Sequence, residues 1–130
     1  MAQLEDALQT AMTGHEGLAA LVGTRIRPIQ AEAGITQPYV VYRRSGADRV
    51  HAMVADPGLA NASMEISSYD DSYAGVKAVA AQVRACLQDW SGTVQGVVVQ
   101  RSLIAGERDG FDQGTETYWV STVFDIWHEE

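Results

Sequence analysis

The stretch that decides the fold is Glu116-Thr-Tyr-Trp-Val-Ser-Thr-Val-Phe-Asp-Ile-Trp-His128, a run of aromatic and β-branched residues that predicts a strand. Side chains alternate across a strand, so two rows form. One row holds Tyr118, Val120, Thr122, Phe124 and Ile126, and the other holds Trp119, Ser121, Val123, Asp125 and Trp127. Both rows are partly apolar, whereas a small domain covers one sheet face with helices. The row with two tryptophans is therefore predicted to meet water or another subunit, since exposed aromatic surface usually marks an interaction site.

Helical and alternating patterns predict the remaining elements. Apolar residues at helical spacing predict a helix over 4–12, a short helical turn over 18–22, and a longer helix that follows capping residues at 70–72. Segments 25–27, 38–46, 60–67 and 94–105 are predicted strands. This order indicates an α+β fold, with a mainly antiparallel sheet of four to five strands and two helices packed on one face. We expect one domain over residues 1–130.

Two segments are predicted to be connections. Residues 47–58 mix charged residues, proline and glycine with few apolar positions, which indicates a long flexible segment. Residues 106–115 hold three glycines and turn the chain back into the closing strand. They are therefore predicted to be the tip of an antiparallel hairpin.

The acidic balance of the chain argues against nucleic-acid binding. Seventeen acidic and nine basic residues give a formal net charge of -8, so the broad basic footprint of a DNA-binding protein is not expected. No apolar run approaches the roughly 20 residues of a membrane-spanning helix, and a signal-peptide pattern is not evident. We expect a protein that begins in the cytoplasm and has no membrane partner.

Few residues suggest catalysis or metal binding. His15, His51 and His128 have no second ligand at metal-binding spacing. The single cysteine, Cys86, cannot form an internal disulfide and lies on the apolar stripe of a predicted helix, which favours packing over nucleophilic use. Four acids crowd the segment 106–116, but their spacing is not that of a calcium-binding hand: Glu107, Asp109, Asp112 and Glu116. Accordingly we expect no catalytic, cofactor-binding or metal-binding residues.

Two groups of residues are candidates for contacts with another subunit or a partner. Arg43 and Arg44 end the strand 38–46 and Arg49 follows shortly after. Guanidinium groups pair well with carboxylates of a neighbouring copy, although a locally balanced solvated surface is the alternative interpretation. Trp119 and Trp127 form the second group, because they share one row of the closing strand.

Four segments carry a resemblance that runs nearly from end to end: Leu18-Ala-Ala-Leu-Val-Gly-Thr-Arg-Ile26, Pro38-Tyr-Val-Val-Tyr42, Tyr73-Ala-Gly-Val-Lys-Ala-Val-Ala80 and Val120-Ser-Thr-Val-Phe-Asp-Ile-Trp-His128. In order and spacing the chain resembles the tail-completion, or tail-terminator, family of long-tailed bacteriophages. The resemblance implies a structural virion protein of the tail neck, assembled in the host bacterial cytoplasm, and not an enzyme.

Such a terminator forms a hexameric ring that caps the tail tube and joins the tail to the head connector. The resemblance thus implies three kinds of protein partner: other copies of the chain, the tail tube protein, and a head-tail connector or stopper protein. A closed ring needs two different patches that meet around the rotation axis. A negative lumen would let DNA pass through without specific binding.

Two alternatives stay open. The protein is another neck component, such as an adaptor or stopper, or it is a dimeric α+β domain, unrelated to phage, that encloses a small ligand between sheets. Native mass separates the ring from the dimer.

Overall fold

The computed structural model describes residues 4–50 and 59–129, and at 46–50, 59 and 60 it describes the backbone alone. This part of the chain forms three helices and six strands, with two helices before the first three strands and one helix before the last three. They are α1 (Leu4–Thr13), α2 (Glu16–Val22), β1 (Ile26–Pro28), β2 (Tyr39–Val50), β3 (Leu59–Asp70), α3 (Tyr73–Leu87), β4 (Gly92–Val94), β5 (Val97–Asp112) and β6 (Thr117–Glu129).

The six strands form one curled sheet in the order β1-β2-β3-β6-β5-β4. β1 runs parallel to β2, and every other neighbouring pair is antiparallel. The closing strand β6 lies between β3 and β5, so both of its edges are hydrogen-bonded. α3 provides the crossover from β3 to the β4–β5 hairpin, as expected when consecutive strands are not neighbours.

The prediction of a mainly antiparallel sheet of four to five strands with two helices was wrong, since the described residues form a mixed sheet of six strands with three helices. The predicted strand 94–105 is divided, because Gln95 and Gly96 both have positive φ angles (55° and 78°) and form a tight turn between β4 and β5. The predicted helical turn at 18–22 is a helix of seven residues, α2. β1 pairs in parallel with β2, which sequence alternation alone does not reveal.

Both predicted connections overlap strands. β5 continues to Asp112, which pairs with Thr117, so the prediction of a loop was wrong for residues 106–112. Residues 47–50 belong to β2 and pair with β3, whereas 51–58 lie outside the described residues. Long antiparallel pairing overrides the poor strand propensity of the glycine-rich and charged segment in β5. The assignment of 1–130 to one domain stays a prediction.

The core lies between the sheet and the three helices. From β6, Val120, Phe124 and Ile126 are fully buried on the helix side. Ser72 caps the start of α3, since its hydroxyl accepts a hydrogen bond from the Gly75 N–H (3.0 Å), as expected for an N-cap residue. Cys86 of the predicted apolar stripe is half-buried, and five other residues of that stripe are buried: Val76, Val79, Ala80, Val83 and Leu87.

Candidate functional site

The sheet face opposite the helices is the candidate site, and we call it the outer face. Since Val120, Phe124 and Ile126 point to the helices, the alternating row of β6 points the other way. In that row Ser121 is buried, and four residues are half-buried: Trp119, Val123, Asp125 and Trp127. The sequence predicted that the tryptophan row lies on one face of the strand, and the structure assigns that row to the side without the core.

At one end of the outer face, aromatic rings run across three strands. Tyr39 of β2 stacks on Tyr69 of β3, with ring centres 4.9 Å apart. Tyr69 is paired in register with Trp119 of β6, and the Trp119 ring extends over Gly110 of β5. A Cβ atom at Gly110 would overlap the ring, so glycine is required there for Trp119 to keep its position. The guanidinium of Arg108 lies 5.9 Å from the centre of the Trp119 ring, within cation–π range.

Beside these rings the outer face holds an open cavity of about 250 Å³, which we call the outer pocket. The hairpin tip supplies a carboxylate and a hydroxyl, and the strands supply rings and apolar side chains. Burial raises the pKa of Tyr39, and the neighbouring Tyr69 and Asp112 add to the rise. The lining residues are Ile29, Gln30, Ala31, Tyr39, Val41, Tyr69, Asp112 and Thr115.

Ile29 forms one wall of the outer pocket in an unusual conformation. Its side chain is 69% exposed, and its φ angle is 66°, which a β-branched residue adopts only at a cost of order 1–3 kcal/mol. The Ile29 N–H donates to the Tyr42 carbonyl (2.8 Å), which holds the backbone in place. A strained backbone thus displays an apolar side chain to solvent beside two tyrosines.

The three arginines proposed from the sequence do not form one patch. Arg43 lies on the outer face and pairs with Glu65 (3.3 Å), whereas Arg44 points to the helix side and pairs with Glu5 (3.0 Å). The backbone of Arg49 lies in β2, but its side chain lies outside the described residues. Alternation along β2 separates residues that are adjacent in sequence.

The acids of the predicted hairpin tip divide between the two faces. Glu107 and Asp109 point to the helix side, where the Lys77 amine lies 3.6 Å and 3.7 Å from their carboxylates. Arg84 also pairs with Glu107 (3.3 Å), and the Tyr73 hydroxyl donates to Asp109 (2.9 Å). These acids therefore help to hold α3 against β5.

The described residues contain little that suggests chemistry. Within 4–50 and 59–129, no group of three or more His, Cys, Asp or Glu side chains is placed to hold a metal ion. His15 contacts Gln82 (3.3 Å), His128 is buried, and His51 lies outside the described residues. Burial raises the pKa of the Cys86 thiol to about 11, so at neutral pH the thiol is protonated and a poor nucleophile.

Sequence reasoning missed the outer pocket. Tyr39 and Tyr69 lie 30 positions apart, and only the β2–β3 register brings their rings together. Ile29 reaches the same place because β1 pairs in parallel with β2. The one usable signal was position, since Tyr39 is at the start of the predicted strand 38–46 and Tyr69 follows the predicted strand 60–67 by two residues. No helix in the described part of the chain is both long and apolar enough to cross a membrane.

The described part of the chain thus has a six-stranded mixed, curled sheet with three helices on one face and aromatic side chains on the other. A sequence profile described as tail completion protein gp17 matches residues 6–129, nearly the whole chain. The chain belongs to this family of phage tail completion proteins, and the resemblance inferred from its sequence is confirmed.

Solved structures share the fold. A chain from the virion of a native gene transfer agent particle superposes with a TM-score of 0.79 at 21% identity, covering 98% of this chain and 95% of that one. A second solved chain gives a TM-score of 0.61 at 11% identity, covering 99% of this chain and 97% of the other. Among curated proteins, none matches the sequence significantly.

Proposed function

We propose that this protein is a tail terminator: six copies form a ring that caps the finished tail tube and joins it to the head connector or stopper. The observation that carries the proposal is the family match over residues 6–129. A similar fold in a chain from a gene transfer agent virion supports a place in a virion particle. In the proposed role the protein lies in the virion tail, at the neck, after assembly in the host cytoplasm. The role is structural, without a cofactor or catalytic step.

The outer face supplies surface for the ring contacts. Trp119 and Trp127 are half-buried there, and Arg43 is more than half exposed beside Glu65. Aromatic side chains and arginine are enriched in the cores of protein interfaces, where they contribute most of the binding free energy. A closed ring joins this face to a different patch of the next copy. Arg44 forms an ion pair with Glu5 of its own subunit, so it contributes to the fold of the monomer.

The net charge fits a channel for DNA. At -8 the chain repels phosphates, so a ring of six copies would let DNA pass through its lumen without specific binding. Filter binding with duplex DNA at physiological salt should give no retention. Tight binding that weakens steeply with salt would contradict this part of the proposal.

Native mass tests the ring directly. Light scattering over a concentration series, with negative-stain images of the same samples, should give a hexameric ring. Trp119→Ser and Trp127→Ser should retain the fold by circular dichroism and weaken self-association by about tenfold or more. A stable dimer would instead favour the ligand-binding alternative. Labelled protein found away from the tail end nearest the head would contradict the terminator role.

A further inference from the structure

Most arginines of this chain are already engaged within their own subunit. Four of them pair with carboxylates, Arg25 donates to two backbone carbonyls, and Arg108 lies against Trp119. Arg101 differs, because its side chain is exposed on the outer face of β5 and contacts no carboxylate or ring in the described part of the chain. The four carboxylate pairs are Arg27–Glu32, Arg43–Glu65, Arg44–Glu5 and Arg84–Glu107.

The outer pocket has the chemistry that recognises a guanidinium group. The stacked Tyr39 and Tyr69 rings offer aromatic surface, on which a planar guanidinium stacks well. The Asp112 carboxylate and the Thr115 hydroxyl at the tip supply hydrogen-bond acceptors. Val41 and Ile29 line the pocket with apolar surface against which the methylene stem of an arginine can pack.

Arg101 cannot reach the pocket of its own subunit. It pairs in register with Trp127, whereas Asp112 pairs with Thr117 at the other end of β6. At about 3.3 Å per residue the two positions lie roughly 30 Å apart along the strand. Only another copy of the chain can bring this arginine to the tyrosines.

We propose that the outer pocket receives the Arg101 side chain of a second copy. The Arg101 guanidinium, near one end of β5, then meets the Asp112 carboxylate at the far end of β5 of the second copy and the rings of Tyr39 in β2 and Tyr69 in β3. The two patches differ, which is the arrangement that a closed ring requires. The inference rests on the proposed ring and names one of its contacts.

The test compares native mass of variants at matched concentrations. Arg101→Ala and Asp112→Asn should each weaken self-association by about tenfold or more, and the double variant should be no weaker than the single ones, because both remove one contact. Asn at 112 keeps the oxygen that accepts from the Gly114 N–H, so the hairpin tip should stay folded. Combining Arg101→Asp with Asp112→Arg should restore association.

Arg108→Ala is the matched control, since Arg108 is exposed on the same face of the same strand but lies over Trp119 of its own subunit. It should change association less than Arg101→Ala does. A ring that forms with wild-type affinity in Arg101→Ala and Asp112→Asn would overturn the inference and leave the terminator function intact.

A chain that stays monomeric at every concentration would count against the ring itself, and a second measurement then decides on the pocket. N-acetyl-arginine amide is titrated into Arg101→Ala, with N-acetyl-lysine amide as the comparison, and the Tyr39 and Tyr69 signals are followed by NMR. Shifts that are larger with the arginine compound and absent in Asp112→Asn would support the pocket. Tyrosine signals that do not move would overturn it.

Discussion

The two alternating rows of side chains on β6 contribute differently to the protein, because one faces the helices and the other lies on the outer face. On the helix side Val120, Phe124 and Ile126 have no exposed surface and pack in the core. On the outer face Trp119 and Trp127 are half-buried beside charged and hydroxyl-bearing neighbours. One row therefore stabilises the monomer, and the other leaves apolar area that association can remove from water.

The largest expected difference between the faces is in stability. Phe124→Ala should lower the free energy of unfolding by about 3–5 kcal/mol, because it removes a fully buried ring and leaves a cavity in the core. Trp127→Ser on the outer face should cost less than half as much. Urea denaturation at concentrations where both variants are monomeric measures the two values. Equal losses would mean that the outer row is also core.

Thiol reactivity sharpens the comparison on the helix side. Cys86 of α3 packs against the core and its thiol donates to the Ala11 carbonyl (3.5 Å). Burial raises its pKa from 9.0 to about 11, so the thiolate fraction at pH 8 should fall by about a hundredfold. Iodoacetamide should modify the native protein correspondingly more slowly than the urea-unfolded chain, with a rate that still rises above pH 9. Equal rates in the two states would contradict the burial of this thiol.

A glycine substitution tests the close contact on the outer face. Gly110→Ala should destabilise by about 1–3 kcal/mol, because its Cβ would overlap the Trp119 ring and displace it. Gly106→Ala, in the same strand, has no atom within 4 Å of its new Cβ and should be nearly neutral. Thermal unfolding of both variants gives the comparison. Trp119→Ser in the Gly110→Ala background should remove the clash, and a loss that persists there would contradict this explanation.

How much of this fold can be predicted from the sequence depends on how far apart along the chain the contacting residues lie. Alternation in β6 and the stripe of α3 are local patterns, and they correctly separated Phe124 from Trp119. The split of β4 from β5 depends on positive φ at Gln95, a residue without a strong turn preference, so the sequence suggested one strand. Arg43 and Arg44 were grouped because they are adjacent, yet alternation places them on opposite faces.

The outer pocket was beyond sequence reasoning for a different reason. It needs the parallel pairing of β1 and the register of Tyr39 with Tyr69, and both are set by tertiary packing. The role proposed for Arg101 likewise depends on tertiary structure, since only the structure shows which described arginine side chains pair within their own subunit. Family membership, by contrast, could be inferred from the sequence, because the order and spacing of short segments can be compared without knowing any contact.

The smallest expected effect on stability comes from the Asp70 carboxylate, on the helix side of the sheet. Asp70 is buried at the end of β3, and burial raises the pKa of its carboxyl despite the hydrogen bond that it accepts from the Asp71 N–H (2.7 Å). A raised pKa favours the protonated form in the folded state, so this stability contribution is present at low pH and is lost as pH rises through the folded pKa.

Asp70→Asn should therefore raise stability at pH 7 by less than about 1 kcal/mol and have no such benefit near pH 3, because the neutral amide keeps the oxygen that accepts from Asp71. Urea denaturation from pH 3 to 7 measures the difference between the variant and the wild type. Ser72→Ala is the control for helix capping, and it should lower stability by about 0.5–2 kcal/mol at every pH. If Asp70→Asn also loses stability at pH 7, the favourable interaction of the negative charge with the start of α3 outweighs its burial, and the acid belongs to the cap.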